Sequence, residues 1–128
     1  MSLIRDAYRA VNESRFSDWA ADHLPPDFEL VALPPRSTRY VGPEGASAFF
    51  ADLSEAWETV RVDVDEVVEF GDRVVVLGRL RNRGRGSEMN VDSIAAHLWT
   101  VEGEVPVRVE LIGDREEALR RGRAEPGG

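Results

Sequence analysis

AAHLWTVEGEVPVRVELIG, residues 95–113, places two alternating apolar runs on either side of a short polar break, the pattern of a β-hairpin. The length of the break decides what His97 faces. A two-residue Glu102-Gly103 turn sets His97 opposite Arg108, with Glu110 diagonal to it on the same face. A three-residue Glu102-Gly103-Glu104 loop sets it opposite Val109, on a face shared with Val107 and Leu111. Side chains alternate with period two along a strand, so a slip of one residue exchanges the faces completely. Gly at the second position of the shorter turn accepts positive φ and favours the first register. The second register builds an inner face of Ala95, His97, Trp99, Val107, Val109 and Leu111, which suits a cavity wall.

Upstream, the same period of two runs back to residue 60. Residues 60–70, 73–83, 89–101 and 105–112 read as four strands, joined by Gly71-Asp72, by the Gly-rich 84–87 segment and by the break at Glu102-Gly103. Val60, Val62 and Val64 keep one parity while Val67 opens the other, which predicts a β-bulge at Asp65-Glu66 that returns Val67 to the core face and sets Asp63 opposite Arg79. Before Thr59 the period is helical. Leu3, Ile4, Ala7, Tyr8 and Val11 share one helical face, and Phe16, Trp19 and Ala20 continue it after a break near Asn12 to Ser14, so two short helices are expected. Pro25 and Pro26 stop them. DFELVAL (27–33) alternates like a half-buried strand, PPRSTRYVGPEG reads as a loop, and Ala46, Phe49, Phe50, Leu53, Ala56 and Trp57 mark a helix over 44–58. A last helix is expected over 114–121.

The 128 residues suit a single domain over 1–122 with a frayed tail at 123–128, large enough to bury a core. The chain has no cysteine, which removes disulfides and thiolate chemistry. No apolar run approaches the ~20 residues of a membrane span, and a cytoplasmic protein is expected. All 16 basic residues are Arg, and the formal charge is -8. A field of that sign repels phosphate backbones and anionic lipid surfaces, so neither nucleic acid nor membrane is an expected partner. Arg79, Arg81, Arg83 and Arg85 share one strand face, where Asp63 and Asp65 on the preceding strand are expected to answer them.

Helices followed by a meander of strands are an α+β layout. YRAVNESRFSDW, GPEGASAFFADLSEAWE, GDRVVVLGRLRNRGRG, AHLWTVEG and DREEAL resemble the SnoaL-like group of the NTF2-like superfamily over nearly the whole chain. The resemblance implies a cystatin-like cone, with N-terminal helices packed on a curved antiparallel sheet around a cavity, and a homodimer paired through the convex sheet face. The superfamily holds isomerases, cyclases and non-enzymatic binding domains, so function rests on the site.

Where ketosteroid isomerases of that superfamily carry a carboxylate base and an oxyanion-holding Asp, this chain offers Leu33 and Ala95, and Tyr8 stands one residue from their Tyr. Polyketide cyclases of the group pair a strand His with an acidic base on the last strand. His97 matches that His, and the base falls on Glu110 counting from Gly103, or on Leu111 counting without gaps to Asp114. We prefer the ungapped register, which faces His97 towards apolar side chains and lowers its pKa by desolvation. Tyr8, Phe49, Trp57, His97, Trp99, Val109 and Leu111 are then the expected ligand contacts for a hydrophobic or aromatic metabolite. His97 with Glu110 forms the acid–base pair of an alternative cyclase-like or isomerase-like enzyme. The only other His is His23, no metal-ligand spacing occurs, and neither metal nor cofactor is expected.

Overall fold

Paired prolines, glycines and polar breaks punctuate the apolar periodicity, and each ends an element in the computed structural model, which describes residues 2–84 and 90–124. Helix α1 (Ser2–Asn12) buries Ile4, Ala7, Tyr8 and Ala10. Ser14, at φ 58, separates it from α2 (Phe16–His23), which buries Phe16, Trp19 and Ala20. Past Pro25 and Pro26 come β1 (Glu29–Val31) and β2 (Arg39–Val41), paired antiparallel. β2 lies inside the stretch expected to be loop. Three residues are too short a run for alternation to register. Helix α3 (Gly42–Ala56) carries Pro43 in its first turn, where a missing N–H costs nothing. Then follow β3 (Thr59–Phe70), β4 (Arg73–Arg83), β5 (Asn90–Glu102), β6 (Val105–Leu111) and α4 (Arg115–Arg123). Asp114 caps α4, its side chain accepting the Glu117 N–H at 2.9 Å. Met89, the Arg85 of the basic run and the last four residues of the expected tail lie outside the described residues.

The six strands form one sheet in the order β2-β1-β6-β5-β4-β3. The expected antiparallel sheet is in fact mixed, because β1 lies parallel to β6 with Leu30 beside Val109. Local alternation identifies a strand but not its distant neighbour. Alternation across the sheet divides the core. Ile4, Ala7, Phe16, Trp19, Phe28, Val62, Val76, Ala95, Trp99 and Val109 pack together under α1, α2 and α3, while Val75, Leu77, Ala96, Leu98 and Ala118 pack on the opposite face under α4. The N-terminal helices thus cover one face, as the resemblance implies, and α4 covers the other. Asn12 ties α1 to β3, its amide oxygen accepting the Val62 N–H and its amide nitrogen donating to the Val62 carbonyl, both at 2.8 Å. Among the described residues no helix is long and apolar enough to cross a membrane.

Two bulges set the registers. In β3 the pairing passes from Val64 opposite Gly78 to Glu66 opposite Leu77, leaving Asp65 as the extra residue and Asp63 opposite Arg79. Val62, Val64 and Val67 consequently reach the same core, as the sequence predicts. The bulged strand closes on its neighbour at Gly78, where a Cβ would stand 2.1 Å from the Asp63 carbonyl oxygen.

The second bulge corrects both sequence registers of the 95–113 hairpin. Its turn is Gly103-Glu104, with Glu102 opposite Val105 and Gly103 at φ +64, the type II′ arrangement in which Gly stands first. Carried on unbroken, that ladder would put His97 directly opposite Glu110. Instead the pairing passes from Val101 opposite Pro106 to Thr100 opposite Arg108. Val107 is the extra residue, and it shifts the rest of β6 by one. His97 comes opposite Leu111 and Trp99 opposite Val109.

Candidate functional site

β5 turns Ala95, His97 and Trp99 towards the N-terminal helices, and α1 brings Tyr8 over them. Trp99 Nε1 donates to Tyr8 Oη at 2.9 Å, and Tyr8 Oη lies 2.6 Å from His97 Nδ1. The Tyr8 and His97 rings are near parallel at 15°, with centroids 5.7 Å apart, and the Trp99 indole meets Tyr8 edge-on at 74°. Burial lowers the His97 pKa from 6.5 to about 4 and raises that of Tyr8. Both rings are neutral at physiological pH, so this triad is a set of hydrogen bonds rather than charges.

The triad forms one wall of an apolar pocket of about 140 Å³. Of the expected contacts, Tyr8, Phe49, His97, Trp99, Val109 and Leu111 line it. Trp57 does not. It follows the last turn of α3, its backbone N–H bonded to the Leu53 carbonyl. Phe28 and Leu30 also line the pocket, and the alternation of DFELVAL was the signal that could have named them. Leu33, Ser93 and Ile94 are lining residues that are also exposed, and so mark the mouth. Leu33 is 50% exposed and offers methyl groups where an isomerase of the superfamily would hold its base. Apart from His97, no titratable side chain but the Tyr8 phenol is among the lining residues.

Glu110 is not brought to His97. It stands opposite Leu98, on the face covered by α4, where it is 14% exposed and paired with Arg108 at 3.3 Å and with Arg121 of α4. The physical reason is the extra residue at Val107. The acid–base pair considered from sequence is therefore split across the sheet. Val107, expected on the inner face, is the bulge residue and does not line the pocket. Of the arginines of β4, Arg81 meets Asp63 as expected, whereas Arg83 is answered by Asp92 of β5 rather than from the preceding strand. Asp63 accepts a hydrogen bond from Arg61 at 2.7 Å and forms an ion pair with Arg81 at 2.5 Å, which together hold its carboxyl below the usual carboxylate range, and Arg83 pairs with Asp92 at 3.1 Å.

A family model, the SnoaL-like domain, matches residues 4–109. Among solved structures, an NTF2-like protein of unknown function from Burkholderia pseudomallei K96243 superposes with a TM-score of 0.77 at 24% identity, over 97% of this chain and 97% of its own. A Jannaschia sp. CCS1 protein bearing the name SnoaL-like polyketide cyclase superposes with a TM-score of 0.77 at 22% identity, over 98% of this chain and 92% of its own. TerC, co-crystallised with polyporic acid, gives a TM-score of 0.76 at 22% identity over 96% of this chain and 97% of its own. At such identities the likeness is one of fold. No curated protein matches the chain significantly.

Proposed function

The chain belongs to the SnoaL-like domain family, and from that premise we propose that its pocket binds a small hydrophobic or aromatic metabolite without covalent chemistry. The observation that carries this reading is the pairing of His97 with Leu111. A base for proton abstraction needs a carboxylate or a basic imidazole within reach of the substrate. Here the carboxylate belongs to the other face, and the imidazole holds its proton too weakly to cycle near neutral pH. What the pocket supplies is apolar area. Enclosing one aromatic ring removes at least ~150 Å² from water and contributes roughly 4 kcal/mol before the costs of association.

TerC was crystallised with polyporic acid, which supports a small-molecule reading of the shared fold. Native mass spectrometry of the purified protein is expected to show a co-purified small molecule, or a panel of small aromatics to move the Trp99 indole resonance. A protein that carries nothing and responds to none of them overturns the reading. A homodimer is part of the same proposal. The sheet face beyond α4 carries Arg61, Asp63, Arg81, Arg83 and Asp92 in paired signs, which two copies related by a twofold axis are able to exchange.

A further inference from the structure

Resting on that reading of the pocket, we infer that the site selects a neutral one-ring carbonyl compound, such as an aryl ketone, aldehyde or ester, held by the Nε2–H of His97. The order of protons along the triad carries the selection. An indole N–H only donates, so the Trp99 bond fills the acceptor side of Tyr8 Oη. The phenolic hydrogen is then free to donate, and His97 Nδ1 is its partner at 2.6 Å. An Nδ1 that accepts leaves the ring proton on Nε2. The reverse order would make Tyr8 Oη accept from both Trp99 and His97 and leave its own O–H without an acceptor among the described residues, a buried donor unpaired. Trp99, two positions along the same strand face, thus fixes the tautomer of His97 through Tyr8.

The consequence is a pocket with a donor of fixed sense. The bond to Tyr8 uses Nδ1 and His97 lines the pocket, so Nε2 is the ring nitrogen offered to a ligand. A ligand that meets it with a carbonyl oxygen completes the chain Trp99, Tyr8, His97, ligand. A hydrocarbon leaves the N–H unpaired in an apolar wall. Anions and cations are disfavoured alike, because no charged side chain is among the lining residues and an unpaired buried charge is costly. Size follows from volume. An apolar cavity of ~150 Å³ accepts benzene, and this pocket is about 140 Å³, so one ring fits within it and a longer substituent leaves through the mouth at Leu33 and Ser93.

The test compares acetophenone with α-methylstyrene, which replaces C=O by C=CH₂ at nearly the same shape, by NMR titration of the wild type, Tyr8→Phe and His97→Phe. Wild type is expected to prefer the ketone roughly 3- to 10-fold, the span of one net hydrogen bond, with benzoate binding at least tenfold more weakly than either. His97→Phe is expected to bind both probes equally. Tyr8→Phe, which removes only an oxygen, is expected to lose most of the preference while still binding α-methylstyrene. The ¹⁵N shifts of His97 give a readout free of any ligand, and are expected to report a proton on Nε2. Equal binding of ketone and hydrocarbon by wild type, or a proton on Nδ1, overturns the inference and leaves the pocket a binding site. Failure of both neutral probes to bind overturns the binding reading and this inference with it.

Discussion

At the scale of single residues, the fate of His97 fixes a pH dependence. Its pKa is about 4 in the folded chain against an ordinary value of 6.5, so between those values the unfolded chain binds more protons than the folded one. Stability rises with pH wherever that holds. The contribution of the buried neutral ring is complete above pH 6.5 and is lost as pH falls towards 4, up to about 3 kcal/mol in all. Urea unfolding at pH 7 and pH 4.5 is expected to show wild type losing about 2 kcal/mol more than His97→Gln, the carboxylates being common to both. Parallel losses would mean that the ring is not desolvated. Glu110→Gln is expected to leave the His97 titration where it is, because the carboxylate lies across the sheet, and an NMR titration of the two proteins checks it. Part of this site is legible in the sequence, since strand parity sets His97 and Trp99 on one face, while Val109 and Leu111 join them only once the ungapped register is preferred over the one that brings Glu110 there. The Tyr8–His97 bond is not. It joins residues 89 positions apart and depends on where α1 sits on the sheet, which helical periodicity does not state.

Elements carry the register, and the two bulges show what a pattern of apolar residues reveals. The one at Asp65 announces itself, because valines change parity across it. The one at Val107 does not, since Val105, Val107 and Val109 alternate without a break and invite a straight ladder. Pro106 was the signal. Proline within a sheet is confined to edges, strand starts and bulges, and here it stands buried opposite Val101 beside the extra residue. The Gly103-Glu104 turn also had its precedent in the chain, because Gly71, at φ +65, opens the Gly71-Asp72 turn in the same first position. Bulge and glycine act together in β3 and β4. Gly78→Ala pushes a methyl group into the Asp63 carbonyl, and is expected to cost at least about 2 kcal/mol by thermal or urea unfolding. Gly71→Ala is expected to act differently, through its positive φ, since nothing lies within 4 Å of a Cβ there. A Gly78→Ala protein as stable as wild type would show that the strands part without cost.

For the whole molecule, helices on both faces limit which surface the proposed dimer could use. α4 covers Val75, Leu77, Ala96 and Leu98, so apolar area that other sheets leave for a partner is used within the chain, and the proposed dimer would rely on the charged remainder. Light scattering at micromolar concentration is expected to give twice the chain mass of 14.3 kDa at low salt and to fall towards one chain in 1 M salt, where the Debye length is about 3 Å. A single-chain mass at low salt removes the dimer from the proposal. The outermost strands pose the opposite problem, because an open edge recruits strands from other molecules. β2 has only three residues to offer, whereas β3 has twelve. On β3 the Asn12 amide gives Val62 both hydrogen bonds that an incoming strand would give. This one side chain impersonates a neighbouring backbone, and a fibril seeking to grow there finds the position taken. Asn12→Ala vacates it, and is expected to raise concentration-dependent turbidity on prolonged incubation even where the fold survives, while an equally clear solution would show that the edge is guarded elsewhere.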